Sequence, residues 1–346
     1  MQFKLRESVQ RFLPSAERSA GVRGSAVSTQ AGGAPPTDRI APVDELVNVP
    51  EFEAMARLVL SSDKFDAFRA PARQSFDKMT FRQRLMVYAM DLDLTTELFG
   101  YEMFAPIIVG PVSGQSFLHD DGELETARGA SRAKTVMVAT RPSTEGLSQV
   151  VNASNEPVWF QAYGNDDSAL DDATQAVEAG CPVVCVTIGV SENGIPVSTN
   201  WDVVERLSRS IDVPVVVKGI MNPTDVEISL QRGAQGVVVS NHGGTAPGGV
   251  MPIDVLAAVS DAVDGRVPVI VDGGFQRGTD ILKGLALGAA AVMVARVPMW
   301  GLAAYGAVGV QTVLELLQTE LARNMAASGR PTIDMIDRDL VRFDSR

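Results

Sequence analysis

The chain has 346 residues, of which 45% are hydrophobic and 21% are charged, and its formal net charge is −12. These values fit one large globular domain. A negative net charge without a sustained run of Lys or Arg argues against duplex nucleic acid and anionic membranes as partners, because both bind basic surfaces. No apolar run approaches the ~18 residues of a membrane span. We therefore expect a soluble, cytoplasmic protein.

The N-terminal part of the chain differs in composition from the rest. Residues 14–42 are rich in Ser, Ala, Gly, Pro and Thr and show no hydrophobic periodicity. This composition predicts a disordered or loosely docked leader over residues 1–46, followed by one domain over residues 47–346. No apolar segment follows the basic first residues, so a secretory signal is not expected.

Eight short apolar segments recur along the domain. They are separated by helix-like stretches, several of which end in Gly, a residue favoured just past a helix C-terminus. Continuous apolar strands that alternate with amphipathic helices predict a parallel sheet, and eight such units predict a (β/α)₈ (TIM) barrel. An open doubly wound sheet is the alternative, but no GxGxxG follows the first strand. The eight segments are residues 105–110, 135–140, 158–163, 181–188, 214–219, 236–241, 268–273 and 291–296.

Three helical patterns lie outside this alternation. Pro50 to Leu60 and Thr80 to Met90 predict an N-terminal helical cap on the barrel. Val310 to Met325 predicts a final helix that packs over the barrel. Its apolar face consists of Val310, Val313, Leu314, Leu317 and Leu321.

Polar residues stand at or just beyond the carboxyl ends of the predicted strands, where the active sites of such barrels form. Gln161 and Tyr163 are two residues apart, so both side chains leave the same face of their strand. Core packing alone does not predict polar groups at one end of nearly every strand. A ring of this kind surrounds a planar, hydrogen-bonding ligand. Its other members are Ser113, Thr140, Thr187, Lys218, Ser240, His242, Asp272 and Arg296.

The last two strands carry a phosphate-binding pattern. Asp272-Gly273-Gly274 lets the main chain approach an anion closely, and Arg296 supplies a cation with a planar fork. Lys218 ends an apolar strand, where an unpaired ammonium group is costly, so an anionic partner or a catalytic task is expected. The alternatives are a surface arginine, two ordinary turn glycines and a lysine that extends to solvent.

His242 lies in SNHGG, directly after the sixth strand. The only other histidine is His119, so no histidine-rich metal site is expected. A lone histidine is more often structural than catalytic. The two glycines that follow His242 leave its ring accessible, and imidazole suits proton abstraction near neutral pH.

The segments WFQAY, VVVKGI, VVVSNHGG and VDGGFQRGTDILKGLALGAAAVMVAR together resemble the FMN-dependent α-hydroxy-acid oxidase and dehydrogenase family, which includes glycolate oxidase, lactate oxidase and mandelate dehydrogenase. The resemblance runs from about Val47 to about Arg342. It implies a homotetramer and FMN at the carboxyl ends of the strands. It also implies oxidation of a small-molecule substrate.

The resemblance further implies roles for individual residues. His242 takes a proton from the substrate, Lys218 stabilises negative charge on the reduced flavin, and Tyr163 belongs with them in the catalytic set. The implied cofactor-binding residues are Pro111, Val112, Ser113, Thr140, Gln161, Thr187, Lys218, Ser240, Asp272, Gly273, Gly274, Gln276, Ala295 and Arg296.

The departures from the family pattern concern mainly substrate recognition. Thr245 replaces the arginine that clamps the substrate carboxylate, and the short segment 189–200 lacks the second arginine. Gly189 replaces the aspartate that orients the histidine, and Phe65 aligns with a substrate-binding tyrosine. At the phosphate site Gln276 replaces an arginine, for which the following Arg277 could substitute, and Ala295 replaces a customary glycine.

Without a bidentate arginine a carboxylate loses its strongest positional contact. We therefore expect an FMN-dependent oxidoreductase that acts on a CH–OH or CH–NH carbon of a substrate other than a simple small 2-hydroxy acid. A larger or uncharged alcohol and an amine both fit the short segment. Two alternatives are a catalytically degenerate FMN-binding barrel that serves as a partner subunit and a non-redox flavin-dependent isomerase. The electron acceptor stays open.

Overall fold

The structure is a computed structural model. It describes residues 39–343 except 70, 72, 83–90, 142, 144, 166–167 and 245–248. Most of the predicted leader therefore lies outside the described residues. Residues 39–46 dock on the domain, where Leu46 is buried and the carbonyl of Ala41 accepts a hydrogen bond from the Tyr305 hydroxyl at 2.7 Å.

Eight parallel strands close a barrel, as predicted. Each pairs with its neighbours in sequence, and the ring closes where Met293 of the last strand pairs with Ile108 of the first. The strands are β1 (Ile107–Val109), β2 (Val136–Thr140), β3 (Val158–Tyr163), β4 (Val184–Thr187), β5 (Val215–Ile220), β6 (Gly236–Val239), β7 (Val269–Asp272) and β8 (Ala291–Val294).

The strands are almost wholly buried because they contact apolar side chains on both faces. Ile108, Trp159, Val238 and Met293 belong to the cluster that fills the barrel, while neighbours such as Val109 pack outward against the helices. This alternation follows from the two-residue period of a strand. It explains why the sequence shows continuous apolar runs instead of alternating ones.

A helix follows each strand and covers the outside of the barrel. These are α1 (Gly122–Arg132), α2 (Leu147–Asn152), α3 (Ala169–Glu178), α4 (Trp201–Ser210), α5 (Pro223–Gln231), α6 (Pro252–Val263), α7 (Gly278–Ala286) and α8 (Arg296–Ala327). The five residues predicted to form the apolar face of the last helix are fully buried, which confirms that prediction.

Helix α8 is broken at Gly306, whose φ of 59° lies in the left-handed region. The Glu125 carboxylate accepts a hydrogen bond from the Ala307 N–H at 2.7 Å, so it satisfies a donor at the start of the second half. The helix is long and apolar enough to cross a membrane by composition, but 67% of its most apolar window is buried in the fold. We interpret it as a packing helix.

The N-terminal segment forms three short helices, Val49–Val59, Ser62–Ala67 and Gln74–Asp77. The first confirms the helix predicted over Pro50 to Leu60, and Asn48 and Glu51 form a capping box at its start. The helix predicted over Thr80 to Met90 is wrong at its start, because Met79–Phe81 forms a strand antiparallel to Val341–Phe343. Its partner lies at the other end of the chain, where local periodicity cannot detect it. Residues 83–90 of that predicted helix lie outside the described residues.

A hairpin closes the amino-terminal end of the barrel. Its strands are Thr96–Leu98 and Tyr101–Met103, and the Phe99 ring between them packs edge-on against Trp159 with ring centroids 5.6 Å apart. This leaves the carboxyl ends of the strands as the open face of the barrel.

Candidate active site

A cavity of about 320 Å³ opens at the carboxyl ends of the strands. Its size fits a small-molecule or cofactor site. All but one of the predicted site residues line it, and the exception is Ser240. The lining includes Pro111, Val112, Ser113, Thr140, Gln161, Tyr163, Thr187, Lys218, His242, Asp272, Gly273, Gly274, Gln276, Ala295 and Arg296.

Beneath one wall of this cavity, Lys218 forms a buried cluster with Ser240 and Asp272. The Lys218 Nζ lies 2.9 Å from Asp272 Oδ2 and 3.0 Å from Ser240 Oγ, and the serine hydroxyl lies 3.1 Å from the same carboxylate oxygen. Lys218 is 4% exposed, so it does not extend to solvent. Its ammonium group is held at a fixed position by an anion and a hydroxyl.

His242 adopts a left-handed conformation with φ of 52°. Its ring packs against Gly219, where a Cβ would approach the His242 Nε2 to 2.7 Å, so only glycine leaves room for it. The ring donates a hydrogen bond to the carbonyl of Ile188. Burial lowers the pKa of His242 to about 4 and nearby Lys218 acts in the same direction, while Asp272 and the Ile188 carbonyl oppose the shift.

Gly189 follows Ile188 at the position where the family resemblance leads us to expect an aspartate. A Cβ at Gly189 would meet no atom within 4 Å, although its φ of 79° favours glycine. The histidine is thus oriented by a neutral main-chain carbonyl. A carbonyl stabilises an imidazolium ion less than a carboxylate does, so the ring is neutral over most of the pH range.

Thr140, Gln161 and Tyr163 form the wall on the β2 and β3 side. The Gln161 amide donates to Thr140 Oγ1 at 3.3 Å. Burial raises the pKa of Tyr163, and the negative charge of Glu192 adds to the shift, while hydrogen bonds with Thr140 and Gln161 oppose it. The Tyr163 phenol therefore stays protonated and is a hydrogen-bond donor to the cavity.

Thr187 tests whether the cavity suits a hydrogen-bonding cofactor. Its hydroxyl is buried at the end of β4, borders the cavity, and has no hydrogen-bond partner among the described residues. A buried hydroxyl without a partner costs about 1–3 kcal/mol. A polar ligand edge would satisfy it, as would be expected for the flavin ring implied at this position.

The predicted phosphate site retains one cation. Arg296 begins α8 and donates to the carbonyl of Gly243 at 2.9 Å. Gly273 and Gly274 have φ of 115° and 85°, which glycine alone adopts readily. Together with Arg296 and the N–H groups at the start of α8, they suit a phosphate group.

Arg277 does not substitute for the missing phosphate arginine. Its guanidinium faces α8, where Nη2 lies 2.9 Å from Glu320 Oε1. Gln276 borders the cavity and donates to the carbonyl of Pro71 at 3.2 Å. The expectation for Arg277 is wrong because the carboxylate on α8 pairs with it.

Phe65 also lies elsewhere than expected. It is 4% exposed and packs under the Arg57 guanidinium, 4.6 Å from its ring centroid, and it does not border the cavity. Ala67 and Phe68 of the same segment do border it. Successive helical residues turn about 100°, so neighbours of Phe65 face the cavity. Thr245 lies outside the described residues.

A short hairpin after β4 contributes residues that the sequence analysis did not name individually. Val190 pairs with Pro196 across the hairpin, and the Ser191 N–H donates to the carbonyl of Ile195 at 2.9 Å. Val190, Ser191, Glu192 and Gly194 all border the cavity. The signal in the sequence was the unusual brevity of this segment and its single charged residue.

A closed parallel barrel with polar side chains around its mouth and a phosphate-type site after the last two strands is the arrangement of a (β/α)₈ enzyme that binds a phosphate-bearing cofactor such as FMN. Comparison with known families agrees. The model of the family described as FMN-dependent dehydrogenase matches residues 60–195 and 190–343. The chain belongs to this family.

Several relatives cover nearly the whole chain. It is 30% identical to a peroxisomal (S)-2-hydroxyacid oxidase of Arabidopsis thaliana, over 88% of this chain and 98% of that protein. It is 32% identical to the L-lactate oxidase of Nostoc sp., over 84% of this chain and 96% of that protein. A crystal structure of mandelate oxidase with (S)-2-phenylpropionate superposes with a TM-score of 0.81 and 31% identity, over 87% of this chain and all of that one.

These relatives establish the general activity. The chain is an FMN-dependent oxidoreductase of the type that acts on CH–OH donors. This confirms the fold, cofactor and reaction class predicted from the sequence, and it favours them over the isomerase and the degenerate barrel.

Proposed function

We propose that the protein oxidises an alcohol or amine other than a simple small 2-hydroxy acid. The observation that carries this proposal is the set of charges around the cavity. Among the described lining residues, the cations are Lys218 and Arg296, and the anions are Asp272 and Glu192. Lys218 is paired with Asp272, and Arg296 lies at the predicted phosphate site. No described cation is left to clamp a substrate carboxylate.

His242 is the base in this proposal. Its neutral ring borders the cavity and accepts a proton from the substrate, while the Ile188 carbonyl fixes the ring orientation. A main-chain carbonyl favours the imidazolium ion less than the aspartate of the family pattern would, which makes His242 a weaker base. The Tyr163 phenol stays protonated because its pKa is raised, and it donates a hydrogen bond to a substrate oxygen or nitrogen.

Lys218 and the residues at the phosphate site support the cofactor. When bound, FMN accepts the two electrons that leave the substrate. The Lys218 ammonium group, fixed by Asp272 and Ser240, stabilises negative charge that develops in this part of the cavity. Thr187 and Gln161 supply hydrogen bonds at its edge.

The test is anaerobic titration of the FMN-loaded protein with a panel of substrates, followed by the loss of flavin absorbance. We expect no bleaching by glycolate, lactate or mandelate and bleaching by a member of a panel of larger alcohols and amines. Rapid bleaching by any of the three 2-hydroxy acids would refute the proposal.

We further propose a cytoplasmic location and a homo-oligomeric assembly, with a tetramer as the form implied by the family resemblance. The acidic net charge of −12 is consistent with a soluble protein. Light scattering of the purified protein measures the assembly, and a monomer would contradict it.

A further inference from the structure

We propose that the substrate carries a positively charged group and that Glu192 selects it. This inference rests on the proposed function, because it names the class of substrate that reaches the same cavity. The occupant is an alcohol with an ammonium group separated from the carbon that is oxidised. Glu192 is a specificity-determining residue in this account.

The hairpin holds Glu192 at the mouth of the cavity. Two hydrogen bonds close the turn that contains it: the Ser191 N–H donates to the Ile195 carbonyl at 2.9 Å, and the Gly194 N–H donates to the Ser191 carbonyl at 2.9 Å. At the base of the hairpin, the Val197 N–H donates to the Gly189 carbonyl at 3.0 Å. The turn is therefore a structured element on the rim.

The Glu192 carboxylate has no cationic partner among the described residues. It is half-buried and borders the same cavity as Tyr163 and His242. Arg296 follows β8, and β4 and β8 lie on opposite sides of the eight-stranded ring. Among the described residues that line the cavity, the one guanidinium is therefore across the barrel from Glu192.

Tyr163 provides a second sign that this negative charge acts inside the cavity. The charge of Glu192 contributes to the raised pKa of Tyr163. A carboxylate that influences the phenol at the end of β3 also attracts a cation in the space between them. The segment 189–200 contains no Lys or Arg to neutralise it.

Three probes with the same CH₃–CHOH frame test the proposal: lactate, propane-1,2-diol and 1-aminopropan-2-ol. Their third substituents are anionic, neutral and cationic. Binding to the FMN-loaded protein is measured from the perturbation of the flavin absorbance spectrum near neutral pH. We expect the amino alcohol to bind about fivefold more tightly than the diol, as for a partly buried ion pair of about 1 kcal/mol, and lactate to bind most weakly.

Two substitutions sharpen the test. Glu192→Gln should remove the preference for the cation and leave diol binding unchanged, and Glu192→Arg should make lactate the tightest of the three. The matched control is Glu178→Gln, which removes an exposed charge at the C-terminal end of α3, away from the mouth. It should leave the ranking unchanged, and the preference in the parent protein should weaken as salt is added.

Three results would overturn the inference. The first is tighter binding of lactate than of the amino alcohol to the parent protein. The second is an equal loss of affinity for all three probes in Glu192→Gln. The third is the absence of saturable binding of the amino alcohol. Bleaching by neutral alcohols with no charge preference would refute this inference alone. Bleaching by lactate would refute the proposed function as well.

Discussion

The two sides of the cavity differ in how far they follow the family pattern. The cofactor side, formed by Lys218, Asp272, Gly273, Gly274 and Arg296, retains a buried ion pair, two glycines with positive φ and a cation. The substrate rim, formed by the hairpin 189–197 and Tyr163, carries a carboxylate on the segment where the resemblance implies an arginine. The first side lies at the carboxyl ends of β5, β7 and β8, whereas Glu192 of the second side lies on a loop.

This difference shows which part of a (β/α)₈ enzyme changes with its substrate. Residues on strand ends are fixed by the packing of the barrel, whereas loops change without cost to the core. Replacing an arginine on the rim alters the charge offered to the substrate. Replacing Lys218 would leave Asp272 buried without its partner.

The largest effect is expected from His242→Ala, which removes the base between the two sides. Reduction of bound FMN by the substrate should fall by about 10²- to 10⁴-fold, the usual contribution of general base catalysis. FMN retention should change little. Anaerobic stopped-flow absorbance measures the rate of reduction, and the flavin absorbance at the start of each trace measures how much FMN is retained. An unchanged rate would show that His242 is not the base.

Lys218→Met tests the cofactor side. It should slow flavin reduction by about 10²-fold, because a fixed positive charge is lost from the cavity. It should also destabilise the protein by about 3–5 kcal/mol, since Asp272 is left buried and unpaired. Urea unfolding measures the second effect.

The double variant Lys218→Met, Asp272→Asn separates these effects. Removal of both charges should recover most of the stability without recovering the reduction rate. If the double variant reduced flavin at the parental rate, the ammonium group would have no part in the chemistry.

Gly189→Asp tests the link between the rim and the base. The added carboxylate should raise the pKa of His242 from about 4 by at least about one unit, because an opposite charge favours the imidazolium ion. The open space around Gly189 permits the side chain, and aspartate tolerates its left-handed φ better than most residues do. NMR titration is practical because the chain has only two histidines.

The same shift should move the acid limb of the activity profile. The parent keeps its base neutral down to a pH of about 4, so a higher pKa makes Gly189→Asp lose activity at a higher pH. In the parent, the lowered pKa of His242 also makes the free energy of unfolding depend on pH. The stability that the neutral ring contributes is fully present above the ordinary pKa of histidine and is lost as the pH falls towards 4. If neither the acid limb of the activity profile nor the pKa of His242 moved in Gly189→Asp, position 189 would have no influence on the imidazole ring.

The smallest effect is expected from Thr187→Val, which tests the fit of the cofactor. The apoprotein should become more stable by about 1–2 kcal/mol, because a buried hydroxyl without a described partner is removed. FMN should bind about fivefold more weakly because one hydrogen bond is lost. Thermal unfolding of the apoprotein and FMN titration measure the two changes, and tighter FMN binding would contradict the account.

Local sequence patterns predicted most of the fold and one side of the site. All eight strands follow from apolar runs, and the residues at their ends meet because parallel strands share one direction. Thr80 and Phe81 were predicted as the start of a helix because the partner of their strand is remote in sequence. Arg277 was misjudged because its partner, Glu320, lies on another helix. Such pairings depend on tertiary packing that no local pattern contains.

The substrate rim was the hardest part to predict. The absence of arginine from residues 189–200 was visible in the sequence, but the placement of Glu192 on the same cavity as Tyr163 depends on the turn of the hairpin. The loss of the aspartate at Gly189 was visible in the sequence, but the role of the Ile188 carbonyl was not, since a main-chain hydrogen bond cannot be read from side-chain identities.

The contrast between the two sides is tested most directly by titrating the same purified sample with FMN and then with lactate. We predict saturable uptake of about one FMN per chain, as expected for one site, followed by no saturable change in the flavin spectrum on addition of lactate. Saturable lactate binding to the FMN-loaded protein would contradict the proposed change in substrate. A protein that takes up no FMN would contradict the cofactor site itself.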